Sequence, residues 1–590
     1  MYQLVQWQGA SPGGSVTSAE AWDETYDLVV VGAGAGGLAA ALAGSIEGLS
    51  VLVLEKTAMV GGTSATSAGT VWIPGNRQSQ AMGYGDTPQA AARYLDTLTA
   101  APDRHGVRAA FLATGPDAID YFAANSEVKF TPSGKHPDYR DEDGAAVQGR
   151  ALAATPFDGR RLGREFARVR PPLPEFLVLG GMMVGKADIP RLLNRFGSRS
   201  DFLFSAKIFL RYLADRLRHS RGTRLLMGNA LVARLFYSLR LRQVPIWFST
   251  GVSDLIRVDR RVVGLCVDVG SRSLRVQATR GVVLATGGYG GSASLRARFM
   301  GAWAPPFSVT APQNTGDGIE LCLRHGARVE PERHGHGGFW TPVSRTHRRD
   351  GGQGLFPHLF LDRAKPGLIA VDANGERFVN EGCSYHDFVE AMFSRPGGAQ
   401  APAHLICEAA FVRKYGLGDI RPGGAALRRY ERQGYIALAD TIEGLAEKIG
   451  VAPATLAATV ARHNDFARAG RDLDFGKGET ELNRFNGDPG REPNPCLAPI
   501  EHGPFVALKV WAAELATSTG LETNADGQVL GEAGAPIPGL YAAGTDMASV
   551  MAGAYPGPGT VLGPALTFAY RLAKHAAGRS LGGSNRQALD

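Results

Sequence analysis

The chain has 590 residues, 44% hydrophobic and 20% charged, a globular composition too long for one hydrophobic core, so two or more packed units with room for a large cofactor are expected. Five scattered cysteines (Cys266, Cys322, Cys383, Cys407, Cys496) with no C-x-x-C pair argue against a disulfide scaffold or a structural zinc site and for a reducing, cytoplasmic compartment. The net charge of +7 is concentrated between Arg160 and Arg242, where 18 Lys or Arg face five acids; no nucleic-acid motif accompanies it, so nucleic acid is not expected as a partner.

Residues 1–24 contain no Lys or Arg and lack the basic start and apolar run of a targeting leader, and are expected to be a loose tail. No run of about 18 apolar residues escapes interruption by glycine or charge, so no membrane span and a soluble protein are expected. YDLVVV at 26–31 reads as a buried strand, followed by a glycine-rich turn, a helix over LAAALAGSIEG and a strand over SVLVL at 50–54, which together make a βαβ unit. Residues 105–240 read mainly as helices and loops. Within them, PEFLVLGGMMVG and DFLFSAKIFLRYLADRLRHS combine apolar faces with Lys207, Arg211, Arg216 and Arg218. Two readings stay open there: peripheral contact with an anionic bilayer, or a solvated basic helix over the core. RVVGLCVDV and LRVQA read as strands, and GVVLATGG as a strand returning to the first sheet. From 330 to 505 short strands such as LIAVD and a helix around TIEGLAEKIG suggest a second unit. ADGQVL, PGLYAAGT and GPALTFAYRLAKHAAG then give two strands and a helix resembling the opening unit.

Gly32-x-Gly34-x-x-Gly37 stands after the first strand and opens the first helix, the context a dinucleotide site requires. Gly32 permits the turn, Gly34 lets the backbone approach a pyrophosphate, and Gly37 packs helix on sheet while the helix N-terminus faces the anion. Glu55, 18 residues beyond Gly37, is placed to accept from ribose hydroxyls and would repel a 2'-phosphate. Lys56 to Gly69 (KTAMVGGTSATSAG), Ala285-Thr286-Gly287-Gly288 and the C-terminal GLYAAGTD supply further small and hydroxyl residues.

Taken together these segments resemble the flavoproteins of the fumarate reductase and 3-ketosteroid dehydrogenase group over nearly the whole chain. The resemblance implies FAD, lined by Lys56, Gly61, Gly62, Thr63, Ser64 and Ser67, by Ala285, Thr286 and Gly287, by Gly544, Thr545 and Asp546, and by Gly559 and Leu562. Thr545-Asp546 departs from the residue the group commonly places after A-A-G to reach the ribityl chain. No histidine stands where relatives tether a flavin, so the FAD is expected to be non-covalent. The implied fold is α/β: a Rossmann-like FAD-binding domain assembled from both chain ends (25–329, including the basic helical segment 160–242, and 506–590), with an inserted α+β catalytic domain at 330–505.

Fumarate reductases grip a dicarboxylate with arginine and histidine, whereas Ala554-Tyr555-Pro556-Gly557-Pro558-Gly559 carries no cation. This loop resembles that of the 3-ketosteroid Δ1-dehydrogenases, which implies that the Tyr555 hydroxyl and the Gly559 N–H hold a 3-keto oxygen and stabilise a developing enolate. By the same resemblance Tyr385, in RFVNEGCSYHDFVEAM, is the base that removes a C2 proton, Tyr139, in HPDYRDE, supports it, and the C1 hydride passes to the flavin. The expected partners are a 3-ketosteroid and an external electron acceptor, a quinone or another carrier. A Δ4-dehydrogenase, another enone-forming or enone-reducing flavoenzyme, and a non-catalytic flavin sensor are the alternatives. Glu381 and Asp387, next to Tyr385, are the substitutes for a misassigned base, and His386 either tunes Tyr385 or packs. His334, His336 and His386 lack a second cluster at ligand spacing, so no metal is expected.

Overall fold

The computed structural model describes residues 21–330, 335–348, 351–359, 362–423 and 426–581; most of the expected N-terminal tail, and His334, lie outside the described residues. The apolar strand Glu24–Val31 is buried over its last four residues because parallel strands cover both its edges, Val51–Glu55 on one side and Arg272–Leu284 on the other. The strand order of this sheet is Gln528–Leu530, Pro536–Ala542, Arg272–Leu284, Glu24–Val31, Val51–Glu55, Ile246–Phe248, with Thr250–Val258 and Arg261–Val269 added as an antiparallel extension. The two strands read from LRVQA and GVVL are one strand. It continues through Gly281, where a Cβ would meet Gly539 O at 2.8 Å, so only glycine lets Pro536–Ala542 pair alongside. Helices Ala35–Ile46 and Leu562–Ala576 pack against one another on the sheet, their alanines allowing close approach, and so the two ends of the chain share one core.

A second sheet has the order Gln353–Pro357, Gly338–His347, Phe505–Thr517, Ala403–Glu408, Leu368–Val371, with Ile436–Ala439 and Phe307–Ser308 also pairing with Phe505–Thr517. This corrects the boundary placed at 505/506. Phe505–Thr517, assigned by sequence to the C-terminal part of the FAD-binding domain, is the central strand of the second sheet and buried along nearly its whole length. Phe307–Ser308 joins the same sheet from before residue 330. Helices Ile442–Ile449 and Pro453–Ala469 cover one face of this sheet through Leu445, Leu456 and Val460, which pack with Ile369 and Ile406. Helix Tyr385–Phe393 lies against strand Gly338–His347. A small sheet of Thr70–Trp72, Ala151–Ala154 and Phe130–Pro132 carries Trp72 and Arg150 toward the loop at 554–559. No described helix is long and apolar enough to cross a membrane.

Candidate active site

The glycine turn has the close contacts that its spacing requires. Gly32 sits at φ +102°, and a Cβ there would meet Ala285 O at 2.2 Å; a Cβ on Gly37 would lie 1.9 Å from Gly32 O. Gly34 is different: the nearest atom to its added Cβ is Ser64 Oγ at 4.0 Å, so the space in front of the helix start is open. Helix Ala35–Ile46 has no side-chain cap and no acid in its first turn, which leaves its positive end available to an anion. Glu55 is buried, one oxygen accepting from Ala33 N at 2.9 Å and the other from Thr57 N at 2.8 Å. Each oxygen keeps a second lone pair, which fits a ribose hydroxyl. These features fit the dinucleotide half of FAD.

The other expected cradle residues divide into a lining and a scaffold. Gly61, at φ +117°, donates its N–H to Ala33 O at 2.8 Å and holds the short turn Gly62–Thr66 beside the helix start. In that turn Ser64 Oγ accepts from Ala35 N at 3.2 Å, while Thr63 Oγ1 accepts from Ala311 N and Asn314 Nδ2. Ser67 Oγ turns back to Ser64 O, and Lys56 bridges Thr315 and Asp317 at 2.7 Å each. Thr286, Gly287, Gly544 and Thr545 are partly exposed where the returning strands end, Ala285 beside them is buried, and Leu562 is packed into the main core. Asp546 turns inward: its carboxylate is fully buried and accepts from Thr286 N, Thr286 Oγ1 and Gly288 N. It ties two strand ends together. A cleft lined by Phe339, Thr517, Thr545, Val550, Val561 and Pro564 runs from this junction to the second sheet. The helix starting at Leu562 has no acid in its first turn and points its N-terminal end at this region.

The three tyrosines singled out by sequence meet. Tyr385 Oη donates to Tyr555 Oη at 2.9 Å and lies 3.2 Å from Tyr139 Oη. The Tyr139 and Tyr555 rings stack at 5.5 Å, with Tyr385 edge-on to both. Leu359, Leu482 and Leu515 surround them, so the hydroxyl chain runs through an apolar pocket. Burial pushes all three phenols well above their ordinary value, reinforced at Tyr385 by neighbouring Tyr139. A phenolate on Tyr385 would accept from both neighbours, which offsets part of that burial. Gly559 sits at φ +100°, where a Cβ would strike Thr70 O and Trp72 N at 2.6 Å each. Its carbonyl accepts from Trp72 N, while its N–H has no protein acceptor among the described residues. That N–H is available to a ligand oxygen.

The acids beside Tyr385 are already committed. Glu381 is buried against Arg377 and Lys477; burial would raise it, but those cations hold it well below the usual carboxylate range. Asp387 pairs with Arg140 at 2.7 Å. His386 Nε2 faces Glu390 at 3.2 Å and its Nδ1 accepts from Trp340 N, so the imidazole is held between protein groups. Within the described residues no group of three or more His, Cys, Asp or Glu is arranged to hold a metal.

Several supporting residues escaped the sequence reading. Pro556 O accepts from Tyr139 N at 2.9 Å and from Tyr94 Oη at 2.8 Å, which clamps the loop at 554–559 to the loop carrying Tyr139. Beneath it Arg150 bridges Asp86 and Asp138, and Asp138 also accepts from Trp72 Nε1. The Arg140–Asp387 pair joins the loop of Tyr139 to the helix of Tyr385. Arg363, fully buried, donates to the carbonyls of Glu381 and Cys383 and so fixes the turn entering that helix, whose Ser384 cap accepts from Asp387 N. Phe339 stands edge-on to Tyr555 at 5.0 Å. Apart from the Ser384 cap, these contacts join segments well separated in sequence.

A glycine cradle opening a buried helix, joined by a cleft to an apolar pocket of hydroxyl donors, defines an FAD-dependent oxidoreductase. The family model described as FAD binding domain matches residues 27–562, and the chain belongs to that family. Among characterised relatives, it is 40% identical over 560 residues to a 4-oxocyclohex-2-ene-1-carboxylate 5-dehydrogenase of Sinomonas cyclohexanicum, covering 93% of both chains. It is 34% identical to a 3-oxosteroid 1-dehydrogenase of Mycolicibacterium smegmatis, covering 93% of this chain and 97% of the relative. The crystal structure of 3-ketosteroid Δ1-dehydrogenase from Sterolibacterium denitrificans in complex with 1,4-androstadiene-3,17-dione superposes with a TM-score of 0.85 at 36% identity, covering 94% of this chain and all of that one. The protein is thus an FAD-dependent dehydrogenase of the fumarate reductase and ketosteroid dehydrogenase group.

Proposed function

We propose that the protein desaturates a cyclic ketone at the carbon–carbon bond next to its carbonyl, and that the ketone is the A ring of a 3-ketosteroid. The observation that carries this is the chain of hydroxyls Tyr139–Tyr385–Tyr555 beside the uncommitted N–H of Gly559, with the neighbouring acids consumed in ion pairs. Tyr555 and the Gly559 N–H donate to the ketone oxygen and stabilise the charge that develops there. Tyr385 takes the proton from the carbon next to the ketone, C2, with Tyr139 donating to its oxygen. FAD, held non-covalently, supplies the hydride acceptor for C1. The ring loses one proton and one hydride and gains one C=C bond, giving a 1-ene or, from a 4-ene, a 1,4-dien-3-one. The electrons then leave to an external acceptor, a quinone or another carrier.

A second reading is favoured by the relative from Sinomonas. A 4-oxocyclohex-2-ene-1-carboxylate presents the same enone as a steroid A ring, and its 5-dehydrogenation removes hydrogen from the same side of the carbonyl. The site chemistry is identical and only the ring substituents differ. Anaerobic titration separates the readings: androst-4-ene-3,17-dione should bleach the oxidised flavin band and yield the 1,4-diene by mass spectrometry. Bleaching by 4-oxocyclohex-2-ene-1-carboxylate alone would replace the steroid reading with the second one. Bleaching by a 5α-saturated ketone alone would point to Δ4 chemistry, and bleaching by none of them would leave a flavin protein without this activity.

A further inference from the structure

The helix Arg199–Arg216 buries one face and leaves an equally apolar one bare. Ile208 and Tyr212 pack with Met182, Val178, Val184 and Phe204, and Asp215 accepts from Thr223 N and Oγ1, so the inner face is anchored. At about 100° per residue, Phe202, Leu203, Ala206, Phe209, Leu210, Leu213 and the following Leu217 occupy one continuous sector roughly 120° wide. All of them but the small Ala206 are classed as exposed, with Leu203 at 66%, Leu210 at 63% and Leu217 at 85%, and Phe196 ahead of the helix at 81%. A contiguous apolar surface of this kind marks an interaction site. Its edges are basic: Arg216 on one side, Lys207 and Arg218 on the other, Arg195 and Arg199 at the start. None of these five has an acid within ion-pair distance among the described residues, whereas Arg191 and Arg211 are paired with Asp201 and Asp158.

From this arrangement we infer that the outer face of Arg199–Leu217 docks on an anionic lipid bilayer, lying in the interface with the leucines and phenylalanines in the acyl boundary and the cations at the headgroups. Charge decides among the occupants. A second copy meeting this face symmetrically would bring the same uncompensated cations together, while anionic headgroups complement them. The helix lies flat because its inner face is fixed to the protein and no described helix is long and apolar enough to span. The inference is independent of which ketone the enzyme takes.

The test uses the full-length holoprotein with sedimented vesicles of phosphatidylcholine alone or with about one third phosphatidylglycerol, at low and high salt. Binding is expected to the anionic vesicles and to weaken steeply with salt, because charges at the surface are screened over about 8 Å at physiological ionic strength. Leu210→Gln with Leu217→Gln should lower the partition coefficient roughly tenfold or more at unchanged flavin absorbance and unchanged turnover with a water-soluble dye. Lys207→Gln with Arg218→Gln should remove the preference for anionic over neutral vesicles. Absence of vesicle binding at low salt, or leucine variants that bind like the parent, overturns the inference. So does a concentration-dependent dimer, seen without vesicle binding and abolished by the leucine variants, which would assign the face to a second copy.

Discussion

Replacing Tyr385 by Phe tests the proposed base at the atom concerned. The change deletes one hydroxyl and keeps the ring among Tyr139, Tyr555 and Leu482. It removes two neutral hydrogen bonds, at 2.9 and 3.2 Å, a structural cost of about 1 kcal/mol each. The glycine cradle contains no atom of Tyr385, so FAD should be retained. Loss of a positioned general base costs about 10²–10⁴ in rate, or roughly 3–5.5 kcal/mol of barrier, well beyond the structural effect. Anaerobic stopped-flow mixing with ketone should therefore show flavin bleaching slowed by about a thousandfold, with ketone binding largely kept. In deuterated water, under conditions preventing net oxidation, the parent should exchange deuterium into the carbon next to the ketone and the variant should not. Bleaching within tenfold of the parent, or normal exchange, would refute the assignment. Because Glu381 and Asp387 are held in ion pairs, His386 would be tested next.

Tyr555→Phe deletes one donor to the ketone oxygen and should slow turnover about a hundredfold while changing ketone affinity much less; equal losses in both would reduce Tyr555 to a positioning group. Gly34→Leu should fold but purify colourless, since its side chain enters the open space before the helix, and acid precipitation of the parent should release intact FAD; flavin pelleting with the parent protein would contradict the non-covalent reading. Because burial raises the phenol of Tyr385, the basic form grows with pH, so the rate of flavin bleaching should climb with pH and not level off below about pH 10; a plateau near neutrality would point to another base. Burial, assisted by nearby Lys509 at His404 and by Lys477 and Arg377 at His463, lowers both buried histidines to about 4. The unfolded chain then binds protons first as pH falls from about 6.5 to 4, so stability should be full above that window and drop by roughly 2–3 kcal/mol per histidine across it, read as a falling melting temperature; a flat profile would count against neutral burial.

What could be read from sequence had local expression. Gly32, Gly34 and Gly37 announce themselves by spacing because each answers to a neighbour within one βαβ unit, and the contacts of Gly32 and Gly37 match the roles that spacing implied. Tyr385, Tyr139 and Tyr555 were named singly, from resemblance, and the structure adds that their hydroxyls touch across separations of 246 and 170 residues. The direction Asp546 takes is not legible in the sequence, because an acid two residues after A-A-G carries no sign of which way it turns; it is set by the Thr286 and Gly288 amides just past the end of a distant strand. The domain boundary failed for a related reason. Phe505–Thr517 is apolar enough for either sheet, and only its partners Gly338–His347 and Ala403–Glu408 decide which one it joins. Arg363, Tyr94 and the Arg150 bridge left no trace in the pattern, since each is a buried polar group satisfied by carbonyls or acids far along the chain.

The proposed chemistry needs a base and an oxyanion pair in fixed register, yet the chain delivers them from different units: Tyr385 from the helix against the second sheet, Tyr555 and Gly559 from the loop following the first. A displacement of about 1 Å in such a constellation can cost a hundredfold in rate. The clamps compensate for the split origin. Pro556 O receives donors from Tyr139 and Tyr94, Gly559 is locked against Thr70 and Trp72, and Arg140 ties the Tyr139 loop to Asp387 on the helix of Tyr385. The loop of Tyr139 therefore links the two units, bonded to the loop at 554–559 through its backbone and to the helix of Tyr385 through both its phenol and the adjacent arginine. Chemistry of this kind depends on the ketone and its two neighbouring carbons, which a steroid A ring and a cyclohexenone carboxylate share. Selection between them must fall to side chains beyond this core, which fits the similarity of this chain to relatives named for both kinds of substrate.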